Sequence, residues 1–359
     1  MSSRIRTGLL FGGSSVEHRV SVISARGVAA GFDQDRIECI PLAVTNAGCW
    51  LPPDLSRQNL DGDCVEVPEH DPAVGSMVGR PGGGGLLLVR PGEPALPLAL
   101  DVVFPVIHGW GGEDGRIQAF LELAGVPCVG AGVAGSAVAM DKGLARSVLE
   151  REAVPMARWR CLTALQIERA GNGIREDLAG EPGFPLFVKP ANGGSSLGIS
   201  RVDRPADLSA ALELALSHDT RIVLEQALDA REIECAVLGN RTPEAAPPGE
   251  VVPGARFYTF EDKYLDGKAE LRIPADLPQE TAGRIRTLAL QVFRCLDLAG
   301  MARIDFFLER TTGEVFFNEA NTIPGFTPIS MYAKLWEAAG VPYSELLNRL
   351  IDLALEPER

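Results

Sequence analysis

The sequence predicts an α/β protein of two or three domains, and three observations support this. A strand, a glycine turn and a periodic helix open the chain over residues 4–30. The middle of the chain alternates short apolar strands with a glycine loop and a helix, which is typical of a small α+β unit. The length of 359 residues corresponds to two or three domains of roughly 150 residues each.

The first third of the chain is expected to form one α/β domain. Apolar residues at spacings of 4, 3, 4 and 3 predict a helix after the turn at Gly12 and Gly13. The residues on this predicted face are Val16, Val20, Ile23, Gly27 and Ala30. Further buried strands are predicted at 37–44 and 101–107, whereas residues 51–98, rich in Pro, Gly and Asp, are expected to be a largely irregular insertion. We place a domain boundary near residue 135.

The rest of the chain is expected to form two strand-rich units. The elements predicted in the middle are a helix over 136–151, strands over 184–189, 199–202 and 221–225, and a helix over 205–217. The elements predicted in the last third are a strand over 231–238, a helix over 279–296, two strands within 301–321 and a closing helix over 343–355. The apolar face of the helix over 279–296 consists of Ile285, Leu288, Ala289, Val292 and Leu296.

Composition and charge exclude several classes of function. Lysine and arginine number 34 against 48 acidic residues, so the net charge of −14 repels nucleic acid and anionic membrane surfaces. The seven cysteines are an odd number without a CxxC pair, which favours a reducing cytoplasm over zinc or disulfide chemistry. The sequence shows neither a signal-peptide core nor a run of 18 apolar residues, so we expect a soluble cytoplasmic protein.

The first candidate site is a phosphate-binding loop. Only five lysines occur, and one of them, Lys189, ends an apolar strand directly before a proline and the loop NGGSSLG at 192–198. This arrangement would place an ammonium group and free backbone N–H groups around phosphate oxygens. The alternative is a lysine that ends a strand before a flexible hairpin, and loop composition alone leaves both open.

The second candidate site lies in the two apolar strands of residues 301–321, MARIDFFLERTTGEVFFNEAN. Simple hairpin pairing leaves Asp305 one position out of register with Glu319, and a one-residue bulge would set them opposite each other, with Asn321 on the same face. Two carboxylates and a carboxamide suit Mg²⁺, which prefers oxygen ligands and keeps positions open for water and triphosphate. Alternation adds Arg303 to this face. The alternative, a solvated sheet face, is weakened by the phenylalanines that bury the strands.

Two weaker signals concern small ligands. Glu225 and Glu232 flank a loop where a nucleotide could bind through backbone groups and a ribose hydroxyl, although exposed loop glutamates are the alternative. The glycine turns FGGSSVEH and HGWGGEDG precede helices and suggest a small-ligand site that includes Glu17 and His108. Neither turn matches GxGxxG, which disfavours a dinucleotide-dependent dehydrogenase.

Eight motifs run through nearly the whole chain. They are FGGSSVEHRVS, HGWGGEDGRIQ, GSAVAMDK, FVKPANGGSSLG, VLEQALDAREIECAVLGN, FYTFEDKY, ARIDFF and FNEANTIPGFTPISMY. Each motif alone is a weak signal. With all eight in this order, the chain resembles the D-alanine–D-alanine ligase family of ATP-grasp enzymes. The resemblance implies an α/β fold of three-domain ATP-grasp architecture, with an N-terminal parallel-sheet domain over 1–135 and two α+β domains over 136–226 and 227–359 that clasp ATP. It further implies ATP-dependent ligation of two D-alanine molecules through an acyl phosphate, for peptidoglycan precursor synthesis.

The resemblance also implies roles for individual residues. Glu17 would hold the ammonium of the first D-alanine, and Ser195 and Tyr264 would close over it. Arg303 and the backbone of Gly325 would stabilise developing negative charge. The residues implied to bind ATP are Lys142, Lys189, Ser196, Glu225, Gln226, Leu228, Glu232, Phe257 and Lys263. The ligands implied for two Mg²⁺ ions, which Mn²⁺ could replace, are Asp305, Glu319 and Asn321, and the implied substrate pocket contains His108, Ser330 and Met331. We expect a homodimer that binds small molecules and neither nucleic acid nor membranes.

The chain departs from the family pattern at a few positions. Thr259 and Phe260 stand where the family usually has Asp and Tyr, and Ala333 stands where Pro is common. Three alternatives stay open: a ligase that joins D-alanine to D-serine or D-lactate, another ATP-grasp carboxylate–amine ligase, and a nucleotide-binding protein without turnover. Tyr264 argues against D-lactate, and the intact metal-ligand set argues against the loss of turnover.

Overall fold

The computed structural model describes residues 4–69, 74–80, 85–170, 181–195, 197–252, 270–327 and 330–356. Within these residues the strands form four sheets. The described helices include none with the length and apolarity that a bilayer crossing requires.

The N-terminal part is built on a parallel three-stranded sheet in the order β2-β1-β6. Its elements are β1 Ile5–Gly12, α1 His18–Gly31, β2 Ile37–Val44, α2 Pro53–Asp61, β3 Ser76–Gly79, β4 Leu86–Val89, β5 Leu96–Leu98, β6 Val102–Pro105 and α3 Arg116–Leu123. Leu9, Leu10 and Phe11 of β1 are fully buried, as expected for a parallel strand covered on both faces.

Two predictions for this part are wrong. The predicted helix is present as α1, but its predicted apolar face is not the buried one. Val16, just before the helix, is 62% exposed and Ile23 is 40% exposed, whereas the small side chain of Ser24 is buried. Small residues are required there because a Cβ on Gly27 would lie 2.6 Å from the carbonyl oxygen of Phe326. Residues 51–98 are also more regular than expected, since they form α2 and a separate antiparallel sheet in the order β3-β4-β5.

The central part contains an antiparallel sheet in the order β7-β10-β8-β9. Its elements are α4 Val133–Met140, α5 Lys142–Arg151, β7 Trp159–Thr163, α6 Ala164–Ala170, β8 Leu186–Pro190, β9 Ser200–Val202, α7 Leu208–Leu216 and β10 Arg221–Gln226. The prediction of a single helix over 136–151 is wrong, because the helix is interrupted at Asp141. The carboxylate of Asp141 accepts hydrogen bonds from the backbone N–H groups of Gly143 and Leu144 and so begins α5 as a separate helix.

The C-terminal part contains the largest sheet, in the order β14-β13-β11-β15-β16 with β12 beside β11. Its elements are β11 Ala230–Gly239, β12 Glu244–Ala245, β13 Gly249–Val252, β14 Glu270–Arg272, α8 Gln279–Cys295, β15 Gly300–Glu309, β16 Val315–Asn321, α9 Met331–Ala338 and α10 Tyr343–Ala354. The predicted apolar face of α8 is buried as expected, and the closing helix is confirmed as α10.

The C-terminal sheet packs against both of its neighbours. One apolar cluster joins Phe104 of the N-terminal sheet to Phe326 and to Tyr332 of α9. A second cluster joins α5 through Leu149 to Phe317 of β16. The C-terminal sheet therefore brings parts of all three regions together, while the predicted domain boundaries at 135 and 226 stay predictions.

Candidate active site

Strands β15 and β16 bring the predicted metal ligands together. Asp305 lies opposite Glu319, and the register shifts between Asp305 and Phe306, so the predicted one-residue bulge is confirmed. Asn321 lies on the same face, because its Nδ2 donates a hydrogen bond to Oδ2 of Asp305 at 2.9 Å. The bulge thus sets two carboxylates and a carboxamide beside each other.

Arg303 occupies the predicted position next to this group. Its Nε and Nη2 lie 2.8 and 2.7 Å from the two carboxylate oxygens of Asp305, and its Nε lies 3.0 Å from Oε2 of Glu234. Burial alone would lower the pKa of Arg303, but the charges of Asp305 and Glu234 raise it well above its usual value. The guanidinium therefore stays charged beneath the acidic cluster.

The residues of this cluster fit a magnesium site. All three expected ligands supply oxygen, and Glu319 and Asp305 border a small cleft together with Glu232 and Glu234. Among the described residues, no three His, Cys, Asp or Glu side chains form a metal site on their own. An ion held by Asp305, Glu319 and Asn321 alone would have three protein ligands, so it would keep positions for oxygens from water or substrate, as Mg²⁺ usually does.

Two buried lysines of the central part lie against strands β15 and β16. Nζ of Lys142, at the start of α5, donates to the backbone oxygen of Gly193 at 2.6 Å and lies 3.8 Å from Oε2 of Glu319. Nζ of Lys189, on β8, donates to Oε1 of Glu225 on β10 at 3.0 Å. The lysines are 8% and 6% exposed, respectively. The structure therefore places the predicted phosphate lysines and metal ligands at one cleft between the central and C-terminal sheets.

Arg146 belongs to the same cleft, although it was not predicted from the sequence. It is 1% exposed and its guanidinium contacts the carboxylate of Glu225. It also donates to the backbone oxygen of Asn318 on β16 at 3.0 Å. Burial alone would raise the pKa of Glu225, but the charges of Arg146 and Lys189 hold it below its usual value. The spacing was the available signal, since Arg146 lies one helical turn after Lys142.

Glu17 faces the cleft from the N-terminal part. Oγ of Ser195 donates to Oε1 of Glu17 at 2.5 Å, which confirms the predicted proximity of these two residues. Two glycines enclose the carboxylate, because a Cβ on Gly109 or Gly194 would lie 2.5 or 2.9 Å from Oε2 of Glu17. Glu17 directly precedes α1, where the helix dipole favours a negative charge.

His108 holds the backbone that follows β16. Its Nδ1 donates to the backbone oxygen of Ile323 at 3.0 Å, and its Nε2 lies 2.9 Å from Oγ of Ser24. Burial lowers the pKa of His108, so the ring is neutral near pH 7 and its Nε2 accepts a hydrogen bond from the Ser24 hydroxyl. Oγ of Ser24 in turn accepts the N–H of Phe326 at 3.3 Å. His108 is 4% exposed, and both of its ring nitrogens are engaged in hydrogen bonds within the protein. It lies beside the segment that contains Gly325.

The remaining predicted residues have different surroundings. Oγ of Ser330 accepts the N–H of Thr327 at 2.8 Å and lies next to Gly325. Met331 is buried in the core that joins the N-terminal and C-terminal sheets. The predicted residues that lie at or after the end of β10 are Gln226, Leu228 and Glu232, of which Glu232 is on β11. The residues that lie outside the described part of the chain are Ser196, Phe257, Lys263 and Tyr264, together with Thr259 and Phe260.

Comparisons with known proteins agree with this geometry. Residues 6–131 match the family model for the D-Ala–D-Ala ligase N-terminus, and residues 148–352 match that for its C-terminus. A D-alanine–D-alanine ligase from Deinococcus radiodurans is 47% identical over 350 residues, which cover 97% of this chain and 98% of that protein.

Solved structures extend the similarity to the whole fold. The D-alanine–D-alanine ligase from Coxiella burnetii aligns with a TM-score of 0.84 at 32% identity, over 99% of this chain and 95% of that one. The VanG D-Ala:D-Ser ligase from Enterococcus faecalis also aligns with a TM-score of 0.84, at 30% identity, over 98% of this chain and 100% of that one. These structures have the ATP-grasp fold, so the predicted fold class is confirmed. Full-length similarity and both family models show that the chain belongs to the D-alanine–D-alanine ligase family.

Proposed function

We propose that this protein is an ATP-dependent D-alanine–D-alanine ligase that makes the dipeptide for peptidoglycan precursors. The observation that carries the proposal is the juxtaposition of buried cations with the acidic pair Asp305 and Glu319. Lys142 lies 3.8 Å from Glu319, and Lys189 lies 3.0 Å from Glu225. Glu17 contacts Ser195 of the neighbouring loop. The relative from Deinococcus radiodurans, named a D-alanine–D-alanine ligase, supports the choice of substrate.

In this proposal ATP lies between the central and C-terminal sheets. Lys142 and Lys189 bind phosphate oxygens, and the burial of both ammonium groups strengthens their attraction for an anion. The residues that contact adenine and ribose are Glu225, Gln226, Leu228 and Glu232. Ser196, Phe257 and Lys263 are assigned to the ATP site by resemblance alone.

Asp305, Glu319 and Asn321 would hold two Mg²⁺ ions, which Mn²⁺ could replace. When bound, the ions supply positive charge that neutralises and orients the triphosphate oxygens. Arg303 fixes the carboxylate of Asp305 in position, because its guanidinium contacts both carboxylate oxygens.

The first step is phosphoryl transfer to the first D-alanine. Glu17 holds its ammonium group, and Ser195 and Tyr264 close over it. A carboxylate oxygen of D-alanine attacks the γ-phosphorus, the bond from that phosphorus to the bridging oxygen breaks, and ADP leaves with the electron pair. Lys189 and Arg303 balance the negative charge of the transferring group.

The second step forms the amide bond. The second D-alanine loses a proton and its amine attacks the carbonyl carbon of the acyl phosphate. Arg303 and the N–H of Gly325 stabilise the resulting oxyanion, and the carbon–oxygen bond to phosphate then breaks, with loss of the remaining extra proton from nitrogen. His108, Ser330 and Met331 are assigned to the second-substrate pocket by resemblance.

The test is phosphate release with D-alanine, L-alanine, D-serine and D-lactate, offered singly and in pairs with ATP and Mg²⁺. We expect release with D-alanine alone and D-alanyl-D-alanine as the product by mass spectrometry. The fold similarity to the D-Ala:D-Ser ligase makes that activity the second candidate, and release that required D-serine would favour it. The absence of release with every pair would contradict a ligase.

We further propose that the protein is a cytoplasmic homodimer. The seven cysteines are free thiols, which agrees with a reducing compartment. Sedimentation velocity of the purified protein tests the dimer, and a species of one chain's mass, near 38.3 kDa, would contradict it.

A further inference from the structure

We propose that Glu113 is a positioning residue for amide-bond formation, where its carboxyl group fixes the peptide segment that contains Gly325 against the turn that encloses Glu17. This inference rests on the proposed ligase function. Glu113 was not among the residues predicted from the sequence, since it lies inside a turn whose glycines dominate the motif.

The carboxyl group of Glu113 joins two distant backbone segments. Its Oε1 accepts the N–H of Ile323 at 2.8 Å, across 210 residues of sequence. Its Oε2 accepts the N–H of Gly109 at 2.9 Å. Each oxygen therefore has its own backbone donor, one after the metal-binding strand β16 and one in the N-terminal part.

The segment from Ile323 to Phe326 is held at both ends by side chains. The N–H of Ile323 binds Glu113 and its carbonyl oxygen binds His108. The N–H of Phe326 binds Ser24 and its carbonyl oxygen accepts the Tyr343 hydroxyl at 3.3 Å. Gly325 lies between these two anchored residues, so the direction of its N–H is set from outside the strand.

The second oxygen of Glu113 connects this segment to the first-substrate site. Gly109 has a φ of +70°, and a Cβ there would lie 2.5 Å from Oε2 of Glu17. A shift of the Gly109 peptide would therefore move directly against Glu17. Glu113 thus sets the distance between the group that holds the first ammonium and the N–H that stabilises the oxyanion. The position of the Gly325 N–H matters because a hydrogen-bond donor stabilises an oxyanion only when it points to the place where the negative charge develops.

A glutamine at this position cannot make both contacts. Glu113→Gln preserves the size of the side chain, but its NH₂ group would face one of the two backbone N–H groups. We therefore expect kcat to fall about 10-fold, equivalent to about 1.4 kcal/mol of transition-state stabilisation, with ADP affinity unchanged. Ser24→Ala, which removes the contact to Phe326, should change kcat in the same direction.

A readout of the second step alone separates positioning from simple loss of structure. ATP labelled with ¹⁸O in the β–γ bridge exchanges the label into non-bridging positions when phosphoryl transfer to D-alanine reverses. If amide formation is slowed selectively, the ratio of label exchange to phosphate release should rise several-fold in Glu113→Gln. The control is Asp101→Asn, whose Oδ2 accepts the N–H of Arg6 at 2.7 Å; this variant should change neither quantity.

The outcomes distinguish this inference from the proposed function. If the wild type fails to make dipeptide, the ligase proposal is wrong. If the wild type is active and the exchange ratio stays unchanged in both Glu113→Gln and Ser24→Ala, the positioning role is wrong, whatever the change in kcat. Thermal unfolding of each variant shows whether it is folded, and Ser24→Ala provides the test if Glu113→Gln is not.

Discussion

Replacement of Arg146 by methionine should destabilise the protein strongly. The guanidinium is 1% exposed, contacts the carboxylate of Glu225, and donates to the backbone oxygens of Asn318 at 3.0 Å and Lys142 at 3.3 Å. Methionine fills part of the same volume but supplies neither charge nor hydrogen-bond donors. The variant therefore leaves Glu225 buried with one cation fewer.

The magnitude follows from the partners that stay in place. Removal of one partner of a buried ion pair typically costs ~3–5 kcal/mol. Lys189 still lies 3.0 Å from Glu225, so the carboxylate retains one cation and we expect about 3 kcal/mol, the lower end of that range. ATP binding should weaken as well, by about 10-fold in Kd, because Lys189 then has to balance Glu225 alone.

The assay is urea unfolding of the purified protein, together with calorimetric titration of ADP and ATP. The matched control is Arg349→Met, which removes an exposed ion pair with Glu345 at 2.9 Å and should cost under ~1 kcal/mol. A stability loss in Arg146→Met no larger than in Arg349→Met would refute the reasoning. A double variant with Glu225→Gln adds a second check, since the two substitutions should be clearly non-additive.

Three further outcomes are expected. Glu319→Gln should nearly abolish phosphate release at low Mg²⁺ while the protein stays folded by circular dichroism. Gly109→Ala should raise the KM for D-alanine, because the new Cβ would lie 2.5 Å from Oε2 of Glu17. The control for backbone strain is Gly111→Ala, because Gly111 has a φ of +87° and no atom within 4 Å of an added Cβ. This control should leave the KM near the wild-type value. Burial, with a contribution from the charge of Glu17, raises the pKa of Glu113 from 4.5 to about 8, so the unfolded chain releases this proton first as pH rises. The wild type should therefore lose up to about 1.4 kcal/mol of stability per pH unit between those two values, and the thermal midpoint of Glu113→Gln should fall less over the same range.

The strand pair β15–β16 could be predicted from the sequence because local rules determine it. The adjacent phenylalanines at 306–307 and 316–317 indicate buried strands, and the short turn fixes the register to within one residue. The one-residue bulge was then the only way to set Asp305 opposite Glu319, and the structure has it. The prediction of the buried face of α1 was wrong, because apolar periodicity gives no weight to serine and glycine. In α1 these small residues permit close packing against Phe326.

The charge balance of the cleft could not be predicted, because it depends on contacts between distant segments. The sequence predicts separate roles for Lys189 at phosphate and for Glu225 at adenine, yet the structure joins them with Arg146 into one buried group. Two cations share one carboxylate, so this group alone carries one surplus positive charge in a site of low dielectric. Such a charge favours a phosphate oxygen more strongly than the same lysine would at an exposed strand end. In the proposed ATP site, Arg146 would therefore strengthen phosphate binding through its pairing with Glu225, without a contact of its own to the nucleotide.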